Sequence, residues 1–330
     1  MPRTFFALFL TGLLLTSGSG QCQSKPKPAA AKPLASKPAA THNIQTVFII
    51  LMENHNWTGD GWIDIKENPQ APYINNTLLP MASHAENYFN PPKLHPSLPN
   101  YLWLEAGTNF GILNDATPAR NSQSTTRHLV TLLKDAGIPW KAYQEDIDGK
   151  TCPLVDEGPK DESNSLLYAP KHNPFVYFDD VTGKQNPNSP YCIAHIRPYS
   201  ELAIDLSSNK VARYNFITPN LCNDMHDSCK NGNIPNGDTW LSQNVPTILN
   251  SDAYKTGGAL FIVWDEADEG DGPIGMIVLS PFAKGGGYSN QIHYTHGSTL
   301  RTLQEIFAVK PFLGDANNQK DLSDLFKVFP

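Results

Sequence analysis

The hydrophobic positions of this chain form two kinds of run, which predict strands and helices. Thr46–Met52 (TVFIILM) is continuously apolar with β-branched residues at its start and centre, which is typical of a strand buried on both faces. Further strands are predicted over residues 211–218, 259–264, 274–280 and 139–144. Helical spacing predicts helices around residues 126–136, after Ser97 and over residues 298–308. Strands interleaved with helices predict an α/β sandwich with a mostly parallel sheet.

Polar residues follow three of the predicted strands at the point where each strand ends. They are Glu53 and Asn54 after the first strand, Asn220, Asp224 and His226 after 211–218, and Asp265 and Glu266 after 259–264. Ligands of parallel α/β folds bind beyond the carboxyl ends of the strands. The pattern therefore predicts one functional site at this rim.

Ser97 stands just before a predicted helix, where a serine is either an N-cap or a nucleophile. A phosphoryl group on Ser97 would meet the positive end of the helix dipole, and a nearby metal ion would lower the pKa of the hydroxyl. The adjacent carboxylates of Asp265 and Glu266 repel each other and need a cation or a proton between them. Together with Glu53 they favour the nucleophile over the cap.

Three histidines are further candidates. His226 lies in a ten-residue segment, 220–229, that holds two Cys, two Asp and two Asn. It can donate a proton to a leaving group or bind a metal ion. The alternative is that the segment is only a polar loop closed by a disulfide. His296 precedes the helix over residues 298–308, and His172 lies in a loop; each is either a site residue or a structural one.

The charge of the chain is unevenly distributed. Of 330 residues, 40% are hydrophobic and 17% charged, and the net charge is -7. Residues 1–42 contain five basic residues and no acid, which leaves 20 basic against 32 acidic residues in the remainder. This balance argues against nucleic acid as a partner. An acidic protein that handles anions needs local cations, and a bound metal ion is one source of them.

The N-terminus predicts export to the periplasm or the exterior. Residues 1–20 have a basic residue, a short apolar run and small residues, which is typical of a signal peptide rather than a membrane span. Residues 21–42 are rich in Lys, Pro and Ala and predict a linker, so the catalytic domain is residues 43–330. Anchoring through a lipid on Cys22 is the alternative interpretation, and no transmembrane segment is expected in the mature chain.

The four cysteines of the predicted domain suggest two disulfides, because an even number is typical of exported proteins. Three connectivities are possible. The short spacing favours Cys222 with Cys229, which leaves Cys152 with Cys192. A zinc site is the competing interpretation, but no CxxC spacing is present.

Seven ordered motifs between Thr46 and Phe307 resemble those of bacterial secreted phosphoesterases. They are ENHNW, HPSLPNYLWLEAG, KHNPFVYF, NLCNDMHD, GDTWL, FIVWDE and YTHGSTLRTLQ. The sequence is similar to the branch of acid phosphatases and phosphatidylinositol-3-phosphatases, which is related to bacterial phospholipases C in the alkaline phosphatase superfamily. The resemblance implies a three-layer α/β/α sandwich and metal-assisted phosphoryl transfer.

The resemblance also implies roles for individual residues. Ser97 is the expected nucleophile, with a phosphoserine intermediate, and His226 and His296 are the expected catalytic histidines. The expected metal ligands are Glu53, Asp265 and Glu266, to which the strand-end pattern adds Asp224. The expected substrate-binding residues are Asn54, His95, Asn100 and His172, to which the strand-end pattern adds Asn220. Asp265-Glu266 stands where two-metal relatives have an Asp-His pair, so one divalent ion is at least as compatible with the sequence as two.

The function expected on these grounds is a metal-dependent phosphomonoesterase that acts on a small phosphorylated substrate or a phospholipid headgroup. Phosphoinositides and nucleotides are both candidate substrates. A phosphodiesterase of the phospholipase C type is the first alternative, because the same residues act on phosphorus in both reactions. A secreted binding protein without catalysis is the second alternative.

Overall fold

The computed structural model describes residues 43–59, 64–268 and 270–330. The predicted signal peptide, the predicted linker and Cys22 lie outside the described residues. Residues Thr41–Pro330 form one compact unit. None of the helices described is long and apolar enough to cross a membrane.

The strands are numbered in chain order. They are β1 Thr46–Met52, β2 Ser83–Ala85, β3 Tyr88–Phe89, β4 Trp140–Gln144, β5 Glu157–Lys160, β6 Leu166–Tyr168, β7 Ile196–Pro198, β8 Tyr214–Thr218, β9 Gly258–Trp264, β10 Met276–Leu279, β11 Tyr288–Asn290 and β12 Tyr294–Thr295.

The helices are numbered in the same way. They are α1 Leu79–Met81, α2 Ser97–Ala106, α3 Pro118–Asn121, α4 Leu129–Asp135, α5 Asp179–Thr182, α6 Pro190–His195, α7 Glu201–Ser207, α8 Asn233–Asn250, α9 Asp252–Lys255 and α10 His296–Ile306.

The central sheet has eight strands in the order β11-β2-β10-β9-β1-β8-β4-β7. The run from β9 to β7 is parallel throughout, whereas β10 is antiparallel to both of its neighbours. Every residue of β1 and β9 is buried, so both faces of the sheet centre are covered. The predicted α/β sandwich with a mostly parallel sheet is confirmed.

The predicted strands and helices are all present, with bounds that shift by a few residues. The run at 274–280 forms a buried strand, but β10 pairs antiparallel with β9 instead of extending the parallel part of the sheet. Helix α8 has no counterpart in the predictions, because Pro235, Gly237 and Pro246 interrupt the helical pattern of its sequence.

Both predicted disulfides form. Cys152 is joined to Cys192 and Cys222 to Cys229, each with a Cα–Cα distance of 5.5 Å. The competing interpretation of these cysteines as zinc ligands is therefore wrong. The first disulfide lies in the region of residues 154–197, which contains short helices and the β5–β6 hairpin.

Candidate active site

Three adjacent parallel strands bring the predicted carboxylates together. Strand β1 lies between β9 and β8, so residues that follow these strands meet at one rim. Glu53, Asp224 and Asp265 are all fully buried there. The Glu53 N–H donates to the Asp224 carbonyl at 2.8 Å, and the Asp265 N–H donates to the Met52 carbonyl at 2.9 Å. These backbone bonds fix the three carboxylates relative to one another.

Helix α2 presents Ser97 to this cluster. Ser97 is the first helical residue, and its hydroxyl donates to Glu53 Oε2 at 2.9 Å instead of capping the helix. Tyr101, one turn later, donates its hydroxyl proton to Glu53 Oε1. Helix α2 ends at Gly107, whose left-handed φ of 69° favours glycine. The capping alternative for Ser97 is therefore wrong.

The N-terminus of α2 already has one hydrogen-bond acceptor from the protein. Leu98 N–H donates to Asp115 Oδ1 at 3.0 Å, so one of the free N–H groups of the first turn already has an acceptor. Asp115 is a residue that the sequence analysis did not single out. It lies 17 residues from Leu98 in sequence, and no short motif links the two.

Several buried polar atoms at this rim have no hydrogen-bond partner within the described part of the chain. They include Asn54 Oδ1 and Asp265 Oδ2. Asn54 has a left-handed φ of 47°, which lets its N–H donate to Asp265 Oδ1 at 3.1 Å. Buried amide and carboxylate oxygens that lack a hydrogen-bond partner are donors that a divalent cation prefers. The donor set therefore fits a bound divalent ion.

The electrostatics of the carboxylates agree with this fit. Burial raises the pKa of Glu53, and burial together with the charge of Glu53 raises the pKa values of Asp224 and Asp265 well above normal. Burial and the charge of Asp265 raise the pKa of Glu266 to about 10. A cation among these side chains would favour the charged carboxylates, because it stabilises their negative charge.

Two histidines lie beside Glu53. His172 Nε2 is 3.2 Å from Glu53 Oε2, and His172 Nδ1 is 3.2 Å from Asp224 Oδ2. Glu53, His172 and His226 each offer a ligand atom within 4.8 Å of the others. Burial lowers the pKa of His172 well below normal, which keeps the imidazole neutral and able to ligate. His172 was assigned to substrate binding, but its position also suits a metal ligand.

His226 is bonded at both ring nitrogens. Its Nδ1 is 2.7 Å from Asp227 Oδ1, and its Nε2 is 3.0 Å from Lys171 Nζ. Burial lowers the pKa of His226, but the hydrogen bond with Asp227 and the charge of Glu53 outweigh burial and raise it overall. The loop closed by the Cys222–Cys229 disulfide thus holds the His226 imidazole next to the carboxylates.

Lys171 is a site residue that the sequence analysis missed. Its ammonium lies 3.0 Å from His226 and 3.3 Å from Asp115 Oδ2. Burial lowers the pKa of Lys171, but Glu53 and Asp115 outweigh it and raise the pKa, so Lys171 remains charged. Its neighbour His172 was singled out within the same KHNPF motif, which is the signal that could have identified Lys171.

His296 lies behind the cluster and not within it. Its Nε2 bonds to the Asp265 carbonyl and its Nδ1 is 3.1 Å from the Tyr88 hydroxyl. Burial lowers its pKa to about 4. Because both nitrogens are engaged within the protein, this geometry favours a role for His296 in positioning Asp265, and its catalytic role stays a prediction.

Glu266 is held by two residues that were assigned to substrate binding. Its Oε2 accepts from Asn100 Nδ2 at 2.9 Å and lies 2.9 Å from His95 Nδ1. Asn100 also donates to the Leu94 carbonyl at 2.9 Å. Glu266 and the Asn100 amide nitrogen thus have hydrogen-bond partners within the protein. Glu266 is therefore a weaker candidate metal ligand than Asp224 or Asp265.

Asn220 supports the loop that the Cys222–Cys229 disulfide closes. Its Oδ1 accepts from the N–H groups of Cys222 at 3.1 Å and Asn223 at 2.9 Å, and its Nδ2 donates to Asp146 at 2.7 Å. Its side chain is thus fully engaged within the protein. These contacts favour a structural role for Asn220, and its substrate-binding role stays a prediction.

A family model described as the phosphoesterase family matches residues 68–310. The chain belongs to the phosphoesterase family. It is 28% identical to a phosphatidylinositol-3-phosphatase of Mycobacterium tuberculosis, over 85% of this chain and 82% of that protein. It is 29% identical to a phosphate-repressible acid phosphatase of Penicillium chrysogenum, over 67% of this chain and 51% of that protein. These relatives identify the chain as a phosphoric ester hydrolase and confirm the resemblance.

Solved structures support the fold of this phosphoesterase. One is a protein in the alkaline phosphatase superfamily from Vibrio parahaemolyticus, with a TM-score of 0.50 and 9% identity, over 82% of this chain and 69% of that one. Another is human ectonucleotide pyrophosphatase/phosphodiesterase 5, with a TM-score of 0.51 and 12% identity, over 86% of this chain and all of that one. At these identities the likeness concerns the fold alone.

Proposed function

We propose that this phosphoesterase is an exported, metal-dependent phosphomonoesterase that uses Ser97 as its nucleophile. The observation that carries the proposal is the 2.9 Å hydrogen bond from the Ser97 hydroxyl to Glu53, inside a buried cluster of carboxylates. A serine that only capped its helix would bond to a backbone N–H of the first turn. The domain boundaries at 20 and 42 and the export of the chain belong to this proposal, and the two disulfides support an oxidising compartment.

In the proposed mechanism Ser97 attacks phosphorus and forms a phosphoserine intermediate. Glu53 accepts the hydrogen bond of the attacking hydroxyl and is the nearest group that can take its proton. Tyr101 holds Glu53 from the other carboxylate oxygen. The amide of Asn54 and the charge of Lys171 are available to the phosphoryl oxygens, which carry most of the charge in the transition state.

The leaving alcohol requires a proton. His226 is the candidate donor: the Lys171 ammonium, 3.0 Å from its Nε2, can supply the proton that the ring passes on, and Asp227 orients the ring. Water then hydrolyses the phosphoserine.

Glu53, Asp224, Asp265 and His172 would hold a divalent cation, which would supply positive charge to the phosphoryl group and would lower the pKa of the serine hydroxyl. The unpartnered Asp265 Oδ2 and the position of His172, 3.2 Å from both Glu53 and Asp224, support this ligand set. Glu266, which the sequence added to the set, is instead bonded to Asn100 and His95.

The test is a substrate panel run on the predicted catalytic domain, residues 43–330. It compares p-nitrophenyl phosphate with bis-p-nitrophenyl phosphate, with and without a chelator, for the wild type, Ser97→Ala and the control Ser289→Ala, whose serine is exposed on β11. We expect monoester turnover that Ser97→Ala abolishes and Ser289→Ala retains. Faster diester turnover would replace the proposal with a phosphodiesterase, and full activity of Ser97→Ala would remove the nucleophile.

A further inference from the structure

Asp115 occupies two hydrogen-bond donors at the start of helix α2 and at the rim of the proposed catalytic centre. Its Oδ1 accepts from the Leu98 N–H at 3.0 Å, and its Oδ2 lies 3.3 Å from the Lys171 ammonium. Leu98 directly follows Ser97 in sequence, and Lys171 Nζ lies 3.0 Å from His226 Nε2. One carboxylate therefore joins the backbone beside the proposed nucleophile to the ammonium beside the proposed proton donor.

The sequence of α2 makes backbone donors scarce in its first turn. The N–H groups of the first four residues of a helix, here residues 96–99, have no acceptor within the helix. Pro96 and Pro99 have no N–H group, because proline lacks one. The turn is left with the N–H groups of Ser97 and Leu98, and Asp115 occupies the second of them.

A phosphoryl group bound at Ser97 would use the same two donors. Phosphate oxygens accept from backbone N–H groups at helix N-termini and pair with lysine ammonium groups. The Asp115 carboxylate is also an anion with two acceptor oxygens, so it takes the place that two phosphoryl oxygens would take. The two anions would repel each other if both stayed on these donors. They therefore compete for the Leu98 N–H and for Lys171.

The loop around Asp115 is held in place by its own hydrogen bonds. Asn114 Oδ1 accepts from the Ala116 N–H at 3.0 Å and from Asn121 Nδ2 at 2.9 Å. The Tyr177 hydroxyl donates to the Ala116 carbonyl at 3.1 Å. The Asp115 side chain is 26% exposed and lines a cavity of about 530 Å³. Its carboxylate therefore has room to turn away from both donors while the loop keeps its position.

We propose that Asp115 is an internal competitor of phosphate, which occupies the Leu98 N–H and Lys171 in the free enzyme and yields both to a bound phosphoryl group. The inference rests on the proposed phosphomonoesterase function and adds a residue that sets the affinity for phosphate. Asp115 lowers the affinity for inorganic phosphate, the product of that reaction, and so favours its release. Loss of the carboxylate should tighten phosphate binding, whereas loss of a residue that only supported the site would weaken it.

The first experiment measures the Kd of inorganic phosphate by titration calorimetry on the wild type, Asp115→Ala, Asp115→Asn and the control Asp156→Asn. Asp156 is exposed and lines the same cavity, so the control removes an equal charge that occupies neither donor. We expect Asp115→Ala to lower the Kd about tenfold, because it releases a hydrogen bond and an ion pair. Asp115→Asn should lower it about threefold, because its amide oxygen still accepts from the Leu98 N–H. Asp156→Asn should leave it within about twofold, since solvent and salt screen an exposed charge.

The second experiment measures hydrolysis of p-nitrophenyl phosphate by the same proteins, with inorganic phosphate as the inhibitor. The KM and the inhibition constant of phosphate should fall together in both Asp115 variants and stay unchanged in Asp156→Asn. Melting curves establish that each variant is folded. Asp115→Asn, which keeps the shape of the side chain, decides the question if Asp115→Ala does not fold.

The outcomes separate the competition from the proposed function. A phosphate Kd that is unchanged or raised in the Asp115 variants would overturn the competition while the phosphatase stands. Equal tightening by Asp156→Asn would also overturn it, because the overall charge of the cavity would then set the affinity. Absence of phosphate binding from every variant would overturn it as well. Tighter phosphate binding by the Asp115 variants, with no hydrolysis by the wild type, would support the competition and contradict the proposed function.

Discussion

The two disulfides of this phosphoesterase should have separable effects on stability and on catalysis. Cys152 and Cys192 are 40 residues apart in sequence, whereas Cys222 and Cys229 are separated by seven. Loop-closure entropy predicts that the longer loop contributes about 4 kcal/mol to the free energy of unfolding and the shorter loop about 2 kcal/mol. Removal of the Cys152–Cys192 pair should therefore lower the melting temperature more.

Catalysis should show the opposite order. The Cys222–Cys229 loop contains Asp224, His226 and Asp227, which lie in the proposed active site. Asp224 retains its backbone bond to Glu53 without the disulfide, but the orientation of His226 and Asp227 depends on the loop. We expect kcat/KM to fall at least tenfold, because small displacements of catalytic groups have large effects on rate.

The assay uses two double variants, Cys152→Ser/Cys192→Ser and Cys222→Ser/Cys229→Ser, with urea unfolding and p-nitrophenyl phosphate hydrolysis on each. Hydrolysis is measured well below the melting temperature, so that both variants are folded. The reasoning is refuted if the Cys222/Cys229 variant keeps wild-type kcat/KM. It is also refuted if that variant loses more stability than the other.

Three further predictions concern separate parts of the structure. Chelation followed by dialysis should lower the melting temperature, and a divalent salt should restore it. At a free ion concentration of 100 times the Kd, binding stabilises the fold by about 2.7 kcal/mol. An unchanged melting curve would contradict the metal site. Tyr101→Phe should lower kcat by roughly tenfold in steady-state assays, since Glu53 loses one hydrogen bond that fixes it; unchanged kcat would contradict this. His128 is buried between Glu105 and Asp180, each at 3.0 Å. Burial lowers the pKa of His128, but the hydrogen bonds with Asp180 and Glu105 outweigh burial and raise it. The protonated imidazole therefore stabilises the fold fully below its usual pKa of about 6.5, and this stabilisation is lost as pH rises through the raised pKa. His128→Gln should cost about 3 kcal/mol in urea unfolding at low pH and less at high pH; an equal cost at both pH values would contradict this.

The sequence predicts the sheet centre well because its strands are buried on both faces. Thr46–Met52 is found as predicted, and the polar residues that follow it begin the site. Strand direction is harder, since a buried apolar run such as that of β10 has the same pattern in parallel and antiparallel pairing. Helix α8 was missed because its Pro and Gly residues lower its helix propensity, while packing of residues such as Trp240 and Leu241 stabilises it.

The candidate site was predicted as a set of residues, but not as a set of contacts. Ser97 and Glu53 are directly bonded, a contact that neither the strand-end argument nor the helix start before Ser97 specified. His296 and Asn220 come from motifs of the same kind but bond to the protein at every side-chain nitrogen and oxygen. Sequence spacing cannot distinguish a histidine that faces a ligand from one that supports a neighbouring carboxylate, because both occur next to strand or helix ends.

The central claim is that Ser97 carries the phosphoryl group during turnover. The direct measurement is mass spectrometry of peptides from enzyme that is quenched in acid during hydrolysis of a phosphate monoester. The account predicts one added phosphoryl group on the peptide that contains Ser97, with none in Ser97→Ala. A phosphoryl group trapped on a different residue, or undiminished turnover by Ser97→Ala, would contradict it.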